Sequence, residues 1–116
     1  MKKLLSITSC IFVSLSIFAQ NKVSVDSVSK HTGETITVCS KVYGTKSLEK
    51  VTFINVGAAY PNSPLTIVIY AKDIANFKTS IDDLYNNKNI CVTGAVKEYN
   101  GKPEIIITKP EEIIVQ

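Results

Sequence analysis

The chain has no arginine and no tryptophan; all 13 of its basic residues are lysine. Histidine is limited to His31, and cysteine to Cys10, Cys39 and Cys91. Without arginine there is no bidentate fork for phosphate or for the outer edge of guanine. A single histidine, with cysteines at these spacings, matches neither a zinc site nor a CxxC redox motif. No Gly-x-Ser-x-Gly elbow is present, Asp82 and Asp83 have no metal ligands for neighbours, and His31 reads as a surface residue. The usual catalytic designs are therefore excluded, and the chain is expected to be non-catalytic, with no cofactor and no metal. What is present is ordinary globular composition: 116 residues, 45% apolar and 20% charged, enough for one domain.

Only the N-terminus carries a long apolar run. Met1-Lys2-Lys3 is followed by a mostly apolar stretch from Leu4 to Phe18 and by Ala19-Gln20. That is the three-part pattern of a secretory signal peptide, about 15 apolar residues where a membrane span needs roughly 20. Residues 1–20 are expected to be the signal and residues 21–116 the domain, with no transmembrane segment in the mature chain. Ile7-Thr8-Ser9-Cys10 loosely resembles a lipoprotein box, but so short an apolar stretch before Cys10 favours cleavage near Ala19. Loss of the signal leaves 11 lysines against 10 acids, so overall charge gives no argument for nucleic acid. The expected location is exported, periplasmic or extracellular. Two cysteines then remain, and in an oxidising compartment Cys39 and Cys91 are expected to pair.

From residue 31 onward the pattern is strands and turns. Ile36, Val38, Ser40 and Val42 alternate with Thr37, Cys39, Lys41 and Tyr43, the period of a half-buried strand, which residues 44–47 are expected to end. Residues 51–56 form a second strand and 65–70 a third, separated by a loop at 57–64 that holds two prolines. That loop reads as a rigid cap over one end of the domain or as a recognition finger centred on Tyr60. Ile74, Phe77, Ile81, Leu84 and Tyr85 share one helical face, giving a helix over 73–86 capped by Asp73, or divided at Thr79-Ser80 with Ser80 as the cap. Residues 90–97 and 104–108 make the fourth and fifth strands. Asn100-Gly101 suits a two-residue type I′ turn, which sets Tyr99 opposite Lys102, Lys97 opposite Glu104 and Val96 opposite Ile105.

Five strands with a helix between the third and fourth is the order of the oligonucleotide/oligosaccharide-binding fold, an all-β Greek-key barrel. The segments at 33–38, 53–57, 92–94 and 101–105 resemble the OB domains grouped with anticodon-binding modules. They are more similar still to small exported bacterial OB proteins described as nucleic-acid-binding-like. The resemblance covers about residues 28–114, rests on turn glycines and core positions, and implies no catalytic residues. It implies that the first and fourth strands are neighbours, so that Cys39 and Cys91 both point outward where a bridge can form. It also implies a ligand face along the second and third strands. Lys41, Tyr43, Lys46, Lys50, Tyr70, Lys97, Tyr99 and Lys102 fall on or near that face. Lysines interleaved with tyrosines suit single-stranded nucleic acid, by phosphate neutralisation and base stacking. Exposed tyrosines also suit the faces of sugar rings, and a protein partner is a third reading. The expected state is a monomer.

Overall fold

A computed structural model describes residues 21–116; the signal reading and Cys10 lie outside the described residues. The organising element is β2 (Thr35–Ser47), in which buried Ile36, Val38 and Val42 alternate with more exposed neighbours. Its first half pairs antiparallel with β5 (Asn89–Tyr99), from Thr35 opposite Ala95 to Lys41 opposite Asn89. Its second half pairs antiparallel with β3 (Val51–Val56). The change of partner occurs at a bulge between Val42 and Thr45, where Gly44 has φ +137°. Residues 44–47 therefore do not end the strand as expected. A glycine adopts that backbone without side-chain strain, so the chain bends and stays paired.

β4 (Leu65–Tyr70) runs antiparallel to β3 and parallel to β6 (Lys102–Ile106), and β6 is antiparallel to β5. The pairings β2–β3–β4–β6–β5 return to β2, so five strands form a closed, barrel-like ring. Two short strands extend it. β1 (Lys22–Val23) lies parallel to β2, and β7 (Ile113–Val115) antiparallel to β5. The strand count among the described residues is thus seven, not five. Segments of two or three residues are too short to display a period-2 pattern, which is why the sequence conceals them.

Inward residues of the ring, among them Ile36, Val38, Ile54, Ile67, Ile69, Val92 and Ile105, are almost wholly buried. A 3-10 segment, Val25–His31, adds Val28 to the same core. Its His31 meets Glu34 at 2.9 Å on the surface. The expected single helix is two short ones, α1 (Ala71–Ile74) and α2 (Ile81–Tyr85). Asp73 lies inside α1 and does not cap it. The hydroxyl of Ser80 does cap α2, accepting from the Asp83 N–H at 3.1 Å. Phe77, between the helices, packs edge-on to Tyr85 with ring centroids 6.3 Å apart, and burial raises the pKa of the Tyr85 phenol. No helix among the described residues is long and apolar enough to cross a membrane.

Cys39 and Cys91 stand directly opposite each other on β2 and β5 and are joined by a disulfide. Their neighbours Val38 and Val92 point into the core, so strand alternation carries both sulfurs to the outside. At the β5–β6 turn Asn100 and Gly101 have φ of 52° and 79°. Tyr99 pairs with Lys102, Lys97 with Glu104 and Val96 with Ile105, which is the expected register.

Candidate binding groove

The outward face of the ring is laid out by the same alternation that fills the core. Ile54, Ile67 and Ile105 point inward, so Phe53, Asn55, Thr66, Val68 and Glu104 point outward. Across the strands, Asn55 pairs with Thr66, Thr66 with Glu104 and Glu104 with Lys97. This makes a polar row spanning β3, β4, β6 and β5. The adjacent row is more apolar: Lys46 pairs with Phe53, Phe53 with Val68 and Val68 with Ile106. Asn55 is only 8% exposed although it lies on this outer face, so the face is recessed there.

A groove of about 700 Å³ opens over most of the polar row and over the Lys46–Phe53 end of the apolar one. Phe53, Asn55, Thr66 and Glu104 line its strand side. Around it stand Tyr43 and Lys46 from the bulged half of β2, Leu48 from the turn that follows, Tyr60 from the 57–64 loop, and Tyr99, Asn100 and Lys102 from the β5–β6 hairpin. Tyr43, Tyr60 and Tyr99 are all well exposed, Tyr60 at 77%. So exposed a side chain is not itself plugging the ring; Tyr60 stands in the groove wall.

The loop is held in place from two sides. The Lys102 ammonium donates to the Pro61 carbonyl at 2.9 Å, and the Ser63 hydroxyl donates to the Asn55 side-chain carbonyl at 3.3 Å. Gly57 makes the turn possible at φ +92°, where a Cβ would meet the Pro64 ring at 2.7 Å. On the opposite wall the Lys41 ammonium lies over the Tyr43 ring, 5.3 Å from its centroid, a cation–π contact that steadies the ring.

Electrostatically the groove has two lysines, Lys46 and Lys102, against one carboxylate. Burial raises the pKa of Glu104. Its carboxylate makes no hydrogen bond or ion pair with any described residue, although Lys97 is its cross-strand partner. Among the described residues no cluster of three or more His, Cys, Asp or Glu could hold a metal ion.

Of the eight residues singled out from the sequence, Tyr43, Lys46, Tyr99 and Lys102 line the groove. Lys41 stands behind Tyr43, and Lys97 is beside Glu104 but outside the lining. Lys50 follows the β2–β3 turn, and Tyr70 closes β4 where α1 begins; neither reaches the groove. Leu48, Phe53, Asn55, Tyr60, Thr66 and Glu104 are lining residues outside that set. Asn55 carried a signal, since an amide within the run Val-Thr-Phe-Ile-Asn-Val breaks an otherwise strand-forming stretch.

No family model and no curated protein matches the chain. Solved structures do. An OBody bound to hen egg-white lysozyme superposes with a TM-score of 0.58 at 15% identity, over 87% of this chain and 98% of its own. A second OBody–lysozyme complex gives 0.57 at 12% identity, over 86% and 96%. A protein described as an aspartyl-tRNA synthetase, from Leishmania major Friedlin, gives 0.56 at 12% identity. The match covers 92% of this chain, which spans only 22% of that one. The fold is OB-like. At such identities the likeness concerns the backbone alone. The groove lies over β3, β4 and β6 of this OB-like ring, beside the β2–β3 turn and the β5–β6 hairpin.

Proposed function

We propose that the protein is an exported, monomeric, non-catalytic binding module that holds single-stranded nucleic acid in the groove between Tyr43, Tyr60 and Tyr99. The observation that carries this reading is three exposed phenol rings around one recess with lysines on its walls. Each stacked base contributes roughly 1–3 kcal/mol on such a platform, whatever its sequence. Lys46, with the remaining N–H donors of Lys102, neutralises phosphates. The OB-like backbone it shares with a chain described as a tRNA synthetase supports the same reading. The basic-then-apolar N-terminus and the disulfide support export. Fluorescence anisotropy with labelled oligonucleotides tests the proposal. The expected result is submicromolar binding at low salt that weakens as salt rises. Two or three neutralised phosphates imply a log–log slope of about −1.5 to −2. No binding even at low salt removes the reading.

A protein partner is the second reading, favoured by Leu48. It stands 49% exposed at the groove edge, where a charged strand has little use for it. The OBody relatives are themselves complexed with a protein, lysozyme. An oligosaccharide would use the same tyrosines with the polar row beneath them.

A further inference from the structure

A carboxylate on the floor of a nucleic-acid groove needs a reason, because it repels the phosphates that the lysines attract. Glu104 occupies the centre of the polar row, between Thr66 on one side and Lys97 on the other. It lines the groove, is only partly exposed, and has no hydrogen-bond partner among the described residues. With no protein donor to displace, its oxygens exchange solvent directly for the donors of a ligand entering the groove. The charged groups facing it are Lys97 from β5, Lys102 from its own strand and Lys46 across the groove, with the phenols of Tyr43, Tyr60 and Tyr99 above. Lysines at the rim and an anion at the floor sort a strand by polarity: phosphates stay outside and base edges turn in.

Resting on the reading above, we propose that Glu104 is a specificity-determining residue that selects guanine in single strands. An ionised carboxylate only accepts, and it offers two oxygens side by side. Among the Watson–Crick edges, only guanine presents two adjacent donors, N1–H and the N2 amino group. Adenine and cytosine each offer one amino donor beside an acceptor. Thymine and uracil set a single N–H between two carbonyls that the carboxylate repels. The hydroxyl of Thr66, one strand spacing away at about 4.8 Å, is placed to donate to guanine O6. This readout needs an unpaired base, because duplex pairing hides that edge. It also needs no arginine, the residue that reads guanine from the major groove and that this chain lacks.

The test uses fluorescently labelled nonathymidylates carrying one central guanine, inosine, adenine or cytosine, titrated into the protein and into Glu104→Gln. The expected preference for guanine over adenine is about tenfold or more, the usual scale of one good bidentate contact. Inosine keeps N1–H but lacks the N2 amino group, and is expected to lose most of that preference in the unaltered protein. Glu104→Gln, checked by its melting curve and intact disulfide, is expected to bring guanine and adenine together. Equal binding of all four probes overturns the inference while leaving the nucleic-acid reading standing. A variant that weakens every probe by the same factor also overturns it, since a structural role would do that. No binding of any probe overturns both.

Discussion

The Lys102 ammonium and the Pro61 carbonyl, 2.9 Å apart, join two loops that are 41 residues apart in the chain. This contact ties the β5–β6 hairpin to the 57–64 loop and sets Tyr99 and Tyr60 on either side of one recess. Lys102 is thus a positioning residue as well as a cation. Lysine suits the task because its flexible stem reaches a carbonyl while two further N–H donors stay available.

Replacing Lys102 with methionine keeps the stem and removes the donor. The expected outcome is faster amide hydrogen exchange across residues 58–63, because the loop loses one of its two ties. Global stability should change by no more than about 1 kcal/mol, the usual net value of one exposed hydrogen bond. Unchanged exchange in that loop would show that Ser63 and Gly57 hold it without Lys102.

Gly57→Ala places a Cβ 2.7 Å from the Pro64 ring at a backbone angle of +92°. Strain of this kind costs on the order of 1–3 kcal/mol. Urea unfolding should show that loss, and oligonucleotide binding should weaken with it, because Tyr60 hangs from the same turn.

Serine at both Cys39 and Cys91 removes a bridge that closes a separation of 52 residues. On the chain-entropy account the loss is roughly 4 kcal/mol. Denaturant unfolding of the double variant, compared with reduced and oxidised native protein, checks it. Reduced native protein should resemble the variant.

Glu104 gives a pH dependence of definite sign. Burial raises its pKa, so the folded chain retains a proton that the unfolded chain has already lost. Stability contributed at this site therefore falls as pH rises from the unfolded value through the folded one, and the full penalty is present above both. Glu104→Gln is expected to melt higher than the native protein at neutral pH. That advantage should vanish near pH 3, where the carboxyl is protonated in both states. An advantage that persists in acid would assign the effect to packing. The guanine preference should fade on acidification through the same range, because a protonated carboxyl donates where it must accept.

Local patterning determined much of this protein directly. The alternation around Val38 and Val92, the continuous apolar run of β4 and the positive-φ pair Asn100-Gly101 each state which side of a strand faces inward. That sufficed for the hairpin register and for the outward side of Cys39 and Cys91, features that depend on neighbours in sequence or on a two-residue period. The closed ring and the adjacency of the two cysteine strands were implied by the resemblance to OB domains and not by any local pattern. What only the tertiary structure decided involves distances between distant segments. β1 and β7 are too short to have a period and exist because long partners offer free edges. The bulge at Gly44, which extends β2 instead of ending it, accompanies the change of partner from β5 along its first half to β3 along its second. Tyr60 faces the groove because Lys102 and Asn55 hold its loop there, and Lys50 and Tyr70 miss the groove because the strands carry them past its end. A binding surface is assembled from side chains far apart in the chain, and their convergence depends on how the strands twist and close, which no local pattern encodes.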